Sequence, residues 1–322
     1  VTTADGQIHP TLPSLVLQRG ATLGDLRTLL ESQAAAKCDL VVSGNRLRYQ
    51  DGVLVVRDGI EAVPASEPTI TLDGVTAGSD AIPASDLHLA PTSIFEDQIA
   101  TRLGIPAAYL RRMRNGSVND ADDIGVISLL DRNVNHWLAS EPDRLYTVRG
   151  FYNEETGDGI ARAIMSGRYA TYDHLDQLMA VLAGIQQVAQ TNPDVQPDTL
   201  KWKVDLTERN MRVRVIAPQV SILSPELLAG YRDPWAGRYG GSTGDVPPVL
   251  EAGLDIRNSE TGSGRMMIVP FVHVLVCTNG LTRMAEAVKR THIGGEQTEG
   301  RIQFSAETQR KRIELVTSET AD

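Results

Sequence analysis

The stretch Lys201 to Ala217, KWKVDLTERNMRVRVIA, constrains the fold more than any other part of the chain. Apolar and polar residues alternate through it with a period of two, the side-chain period of an extended strand. Trp202, Val204 and Leu206 fall on one face of a first strand, and Met211, Val213 and Val215 on one face of a second. A turn at Glu208 to Asn210 brings the two apolar sets to the same side. The opposite side then collects Lys201, Lys203, Arg212 and Arg214. Four cations on one exposed sheet face suit the phosphate backbone of a nucleic acid. A solvated sheet face, charged for solubility and edge protection, carries the same pattern.

A second segment, Val249 to Arg283, reads as two strands joined by the turn Asn258-Ser-Glu-Thr-Gly-Ser-Gly264, with a further polar corner at Cys277-Thr-Asn-Gly280. Gly262 and Gly264 permit positive φ, so the turn could offer backbone N–H groups to an anion. No Gly-Lys-Ser/Thr follows, and a strand rather than a helix comes next, so neither phosphate-loop nor dinucleotide fingerprint is present. A plain hairpin loop accounts for the same residues. Arg257 and Arg265 flank it as further contacts for an anionic strand.

Short strand-like runs at 39–43, 46–49 and 52–57, broken by Gly, Asn and Asp, make residues 1–84 a β-rich region. It contains one helix, Thr22 to Ala36, with Thr22 as its cap. Pro64, Pro68 and Pro83 mark a boundary, and residues 85–322 form the main domain. Residues 86 to 146 read as helical: a helix from Thr92-Ser93 ended by Gly104, a second begun by Pro106, and a third over Asp122 to Ala139. Gly159 to Met165 reads as a short helix, and His174 to Thr191 as an amphipathic one capped by Asp173. A helix is expected from Thr282 and another over Ala306 to Val316. Strands and helices do not alternate regularly, so the expected class is α+β: an antiparallel sheet with packed helices, plus the β-rich N-terminal region.

Formal net charge is −10. Affinity for nucleic acid comes mostly from Lys and Arg, so only a local basic face can supply it here. Aromatics are 5% of the chain, which leaves few rings for stacking. One ring-and-cation pair stands in Ser166-Gly-Arg-Tyr-Ala-Thr-Tyr-Asp-His174: Arg168 beside Tyr169 could hold a phosphate and stack a base. Packing of Tyr169 and Tyr172 in the core is the competing reading. The spacing of Gln98 to Met113 resembles a helix-turn-helix, with Arg111, Arg112 and Arg114 as phosphate contacts, although Pro106 sits early in its second helix.

Two cysteines, Cys38 and Cys277, exclude a disulfide framework. Cys277 and His273 share a strand face, but a buried cysteine needs no chemistry. Histidines at metal-ligand spacing and a Gly-x-Ser-x-Gly elbow are both missing. The expectation is therefore no catalytic residues, no metal and no cofactor. No apolar run reaches membrane-spanning length, and the first ten residues lack signal-peptide character, so no membrane partner and a cytoplasmic location are expected.

Taken together, RAIMSGRYATYDHLDQL, IRNSETGSGRMMIVPFVHVLVCTNGL and LGIPAAYLRRM…LLDRNVNHWL resemble a family of phage- and plasmid-like proteins whose domain has no assigned function. The likeness covers about Asp86 to Glu314. It implies a gene of bacteriophages, prophages or plasmids acting in a bacterial host cell, and it transfers no catalytic residue. With the basic hairpin, it leads to a phage-encoded nucleic-acid-binding protein that takes single-stranded DNA for binding or annealing in recombination or replication. Lys201, Lys203, Arg212, Arg214, Arg168, Tyr169, Arg257 and Arg265 would make the contacts. A homo-oligomer would set many such grooves in series. The alternative is a non-enzymatic phage protein that inhibits or diverts a host factor; a third is an enzyme on a nucleotide.

Overall fold

The computed structural model describes residues 12–60, 69–71, 74–76, 85–115, 123–193, 195–223, 249–275, 281–284, 288–290 and 300–301. The class is α+β, as the sequence indicates. The chain divides into two compact units, one built mainly from residues 33–170 and the other from residues 15–32 and 171–292.

In the first unit, β1 (Lys37–Ser43), β2 (Leu47–Gln50), β3 (Val53–Ile60), β6 (Ser85–Pro91), β7 (Leu145–Tyr152), β8 (Gly159–Ser166) and β15 (Gly300–Arg301) form one sheet. Its order is β15-β1-β7-β8-β6-β3-β2. Only the β6–β8 pair is parallel. A separate two-stranded piece joins β4 (Thr69–Thr71) and β5 (Gly74–Thr76). Because β1–β3 and β6–β8 share one sheet, the division expected at residue 84 falls inside a single unit.

Three helices cover one face: α2 (Ser93–Leu103), α3 (Ala107–Arg114) and α4 (Asp123–Ser140). Thr92 caps α2 by accepting from Phe95 N, and Gly104 ends it at φ 69°, a left-handed conformation that glycine adopts without Cβ strain. Phe95, Ile99, Leu110, Leu130, Val134 and Leu138 pack onto Leu40, Val42, Leu54, Leu89, Tyr146 and Val148. The α4 helix also closes the edge strand. Asn135 accepts from Tyr49 N at 2.7 Å and donates to Tyr49 O at 2.8 Å, as a neighbouring strand would. Asp131 receives the N–H groups of Asp51 and Gly52 at the β2–β3 turn.

Two sequence expectations fail in this unit. Gly159 to Met165 is the strand β8, not a helix. Seven of its eight residues are buried, Arg162 among them, so no alternation of apolar and polar residues survives to identify a strand. Ser85 to Pro91, within a region read as helical, is the strand β6, with Leu87, Leu89 and Pro91 buried on alternate positions.

The second unit is a fully antiparallel sheet of β9 (Lys201–Leu206), β10 (Met211–Leu223), β11 (Val249–Asn258), β12 (Met266–Leu275) and β13 (Leu281–Met284), in the order β13-β12-β11-β10-β9. A further strand, β14 (Val288–Arg290), also pairs with β12. Leu281 to Met284 therefore extends the sheet where a helix was expected from Thr282, since pairing with Phe271 to Val274 outweighs local propensity. Two helices cover one face, α1 (Leu23–Ala35) and α5 (His174–Thr191). Thr22 and Asp25 cap α1 reciprocally, Thr22 N donating to Asp25 Oδ2 and Asp25 N to Thr22 Oγ1. Leu26, Leu30, Leu178, Val181 and Ile185 meet Leu206, Met211, Val213, Val215, Ile256 and Ile268.

The Cys277 corner, the loop from Ala229 to Pro248 and the helix expected over Ala306 to Val316 lie outside the described residues.

Candidate functional site

The face of the second sheet turned away from α1 and α5 carries the candidate site. Its register is the one the alternation demands: Arg212 lies opposite Asp205, Arg214 opposite Lys203 and Ile216 opposite Lys201. Lys201, Lys203, Arg212 and Arg214 therefore share one face. On its other side β10 pairs with β11, setting Arg212 opposite Arg257 and Arg214 opposite Asp255. The third strand thus contributes Glu251, Gly253, Asp255 and Arg257 to the same face. Gly253 admits the ring of Phe271 from β12; a Cβ there would sit 2.6 Å from Phe271 Cζ.

Asp255 is the hub of this face. Its side chain is fully buried, whereas Arg212, Arg214 and Arg257 keep 37%, 30% and 36% of theirs exposed. Oδ1 accepts from Arg212 Nε at 3.0 Å and Arg257 Nε at 3.1 Å. Oδ2 accepts from Arg257 Nη2 at 2.8 Å, from Arg212 Nη2, and from Arg214 Nε at 3.3 Å. Burial pushes this carboxyl up, but the hydrogen bonds and charges of Arg212 and Arg257 outweigh it and hold the group well below the ordinary carboxylate range. The hydrogen bond to Asp255 in turn pushes the Arg257 guanidinium up, keeping it protonated.

Glu251 is a second, smaller hub. It accepts from Lys201 Nζ at 3.4 Å and from His273 Nδ1 at 3.1 Å. Lys203 and Arg265 have no ion-pair partner among the described residues. Among the residues whose side chains are described, five cations and three carboxylates lie on the face, and Arg265 stands at its end.

Between the turns that close the two hairpins is an open pocket of about 380 Å³, with Arg212, Arg257, Arg265, Asp205 and Asn210 among its lining residues. Its rim is stitched together. Ser259 Oγ donates to Arg209 O at 2.7 Å and accepts from Ser263 N at 3.0 Å. Thr207 N donates to Asn210 O at 2.9 Å. A Cβ on Gly264 would come within 3.3 Å of Asn210 Oδ1, so glycine lets the second turn close on the first. The Ser259 and Ser263 amides donate to side chains of the loop itself, so these N–H groups are not turned toward an anion; the arginines are the donors.

The turn is also tied to α5. Glu260 Oε1 accepts from His174 N at 2.7 Å, Asn258 Nδ2 donates to Tyr172 O at 2.9 Å, and Gln177 Nε2 donates to Arg257 O at 3.2 Å. Asp173 occupies the N-cap position but makes no side-chain cap hydrogen bond; Glu260, 86 residues beyond His174 in sequence, supplies the acceptor for His174 N. The segments 166–174 and 258–264, separate in the sequence reading, meet through the first two of these contacts.

Other expected contacts fare differently. Tyr169 is 8% exposed and packs with Ala163 and Met165, so its ring is core and not a stacking platform. Arg168 beside it is exposed and belongs to the first unit. In the helix-turn-helix-like segment, Arg114 is buried against Glu96 and donates to Gly52 O at 2.7 Å, while Arg111 pairs with Asp97. These two arginines serve the packing of α2 and α3. Among the described residues no group of three or more His, Cys, Asp or Glu could hold a metal ion, and no helix is long and apolar enough to cross a membrane.

Comparison with protein-family models, with curated proteins and with solved structures finds no match to this chain.

Proposed function

We propose that this protein binds a nucleic-acid strand, single-stranded DNA foremost, along the face of its second sheet turned away from α1 and α5. The observation that carries the reading is the alignment of Lys201, Lys203, Arg212, Arg214 and Arg257 across three adjacent strands, with Arg265 at the end. From Glu251 to Arg257 the face extends roughly 20 Å along β11. Phosphates of a stacked strand recur about every 3.4 Å, so about six nucleotides match that length. Phosphate contacts rather than stacking would supply the affinity, since Tyr169 lies in the core. The resemblance to phage- and plasmid-like proteins agrees with work on DNA, and a homo-oligomer would repeat the face and raise affinity through linkage.

Six cations less three carboxylates leave about three charges free to replace counterions. The logarithm of affinity should then fall against the logarithm of salt with a slope of roughly −2 for a single strand. Fluorescence anisotropy with single-stranded and duplex oligonucleotides tests this between 50 and 200 mM salt. The expected result is a weakening of roughly 20-fold across that range for the single strand, and a slope shallower by about 1.4 for Lys203→Glu, which changes the face by two charges. The reading is overturned by salt-insensitive binding, or by a Lys203→Glu, Arg265→Glu variant that binds as the parent does. Loss of all binding would leave a protein that engages a host factor through its acidic surface.

A further inference from the structure

We propose that the pocket between the two hairpin turns seats a terminal phosphate of the bound strand, a phosphomonoester rather than an internal diester. The inference rests on the nucleic-acid reading above and adds to it a distinct subsite with its own chemistry.

Guanidinium geometry is the first reason. Arg212 and Arg257 each turn the Nε–Nη2 edge inward to Asp255. A guanidinium has a second bidentate edge, Nη1–Nη2, and it remains available on both residues. Both line the pocket, and Arg265, without an ion-pair partner among the described residues, lines it from the opposite turn. Three guanidiniums border one cavity and offer a phosphomonoester planar, bidentate donor edges, whereas the lysines on β9 present one ammonium at a time.

Rigidity is the second reason. Asp255 fixes the two arginines from below, and the bonds among Ser259, Ser263, Arg209 and Asn210 fix the rim. Little side-chain freedom is left to lose when an anion arrives.

Position is the third. The cavity lies where both hairpins turn back, at one end of the charged face. A strand following that face reaches the pocket with its terminus. Asp205, also on the lining, repels a second phosphate beside the first and is placed to accept from a hydroxyl or amino group of the terminal nucleoside.

The test uses three oligonucleotides of one sequence, carrying a 5′-phosphate, a 3′-phosphate or hydroxyls at both ends, in competition anisotropy at fixed salt. One phosphorylated form should bind about tenfold more tightly than the hydroxyl form, the gain expected of one or two charge-assisted hydrogen bonds. Arg265→Ala, an exposed loop change that should leave the unfolding temperature in place, should abolish that preference, read as the ratio of phosphorylated to hydroxyl affinity, while the hydroxyl form weakens only as the loss of one phosphate contact requires. Equal affinity for all three oligonucleotides, or a preference that survives Arg265→Ala, overturns the terminal-phosphate seat and leaves strand binding standing. Failure of all three to bind removes both readings.

Discussion

Replacing Asp255 by asparagine separates what the hub does for stability from what it does for charge. The side chain keeps its shape and one acceptor oxygen, but loses its charge and turns an NH2 group toward guanidiniums that can only donate. Removing one member of a fully buried ion pair costs about 3–5 kcal/mol, because the charge left behind is unpaired. Here the three arginines are about a third exposed, so water replaces part of what they lose, and about 3 kcal/mol is the expected cost. At roughly 2–4 °C per kcal/mol for a chain of this size, the unfolding transition should drop by about 6–12 °C. Binding should move the other way. The face gains one net positive charge, so the salt dependence for single-stranded DNA should steepen by about 0.7. Saturating DNA should then raise the melting temperature of Asp255→Asn by more than that of the parent, since the strand replaces the missing counter-charge. Calorimetry with and without oligonucleotide, together with a salt titration, measures all three quantities. A stability loss below about 0.5 kcal/mol would show that Asp255 does not hold the arginines together, since that is the scale of an ordinary surface change. A slope that stays the same or becomes shallower would show that these guanidiniums do not meet phosphate.

The same carboxylate sets an acid limit. Its folded value lies below the unfolded one, so its contribution is complete above the unfolded value of about 3.9 and is lost as pH falls through the folded value. The parent should therefore lose stability below about pH 4 more steeply than Asp255→Asn, as measured by denaturant unfolding across pH; parallel profiles would refute the assignment. In the first unit, Arg149 and Asp39 are paired across β7 and β1 with both side chains 1% exposed. Arg149→Met alone should cost about 3 kcal/mol, since only Lys37, 3.7 Å away, still faces Asp39, while Arg149→Met with Asp39→Leu should recover most of it, because the one charge left over is the partly exposed Lys37. Urea unfolding of the single and double variants decides this, and a double variant as weak as the single would count against it.

The hairpin at 201–217 was legible because its burial is one-sided. Where one face is covered by α1 and α5 and the other carries charge, the sequence must alternate, and the register follows from the turn. The strand β8 was not legible for the converse reason: it is buried on both faces, and its run of Ile, Ala, Ile and Met fits a helix equally well. The hub was half legible. Glu251, Gly253, Asp255 and Arg257 follow the two-residue period of β11, so their common face could be read from sequence once β11 was accepted as a strand. What the sequence does not specify is that β11 is the neighbour of β10, which places Asp255 among the arginines instead of at a sheet edge.

The contact between the 258–261 turn and α5 shows why a polar cluster can stand out in a sequence without its purpose showing. Asn258, Ser259, Glu260 and Thr261 are polar, yet all are at most 6% exposed. Polar groups taken out of water need partners, and Glu260 meets that need by accepting the first N–H of α5, where the helix dipole also favours a negative charge. Asp173 stands in the cap position by sequence and suggests that α5 is self-sufficient, so nothing local announces that a distant carboxylate completes it. The consequence reaches the charged face: Gln177 of α5 holds Arg257 O, and the Arg257 side chain holds Asp255. The buried turn thus fixes the backbone of one of the three guanidiniums over the pocket. A recognisable motif of polar, buried residues is what such a positioning role requires, whether or not any of them touches the ligand.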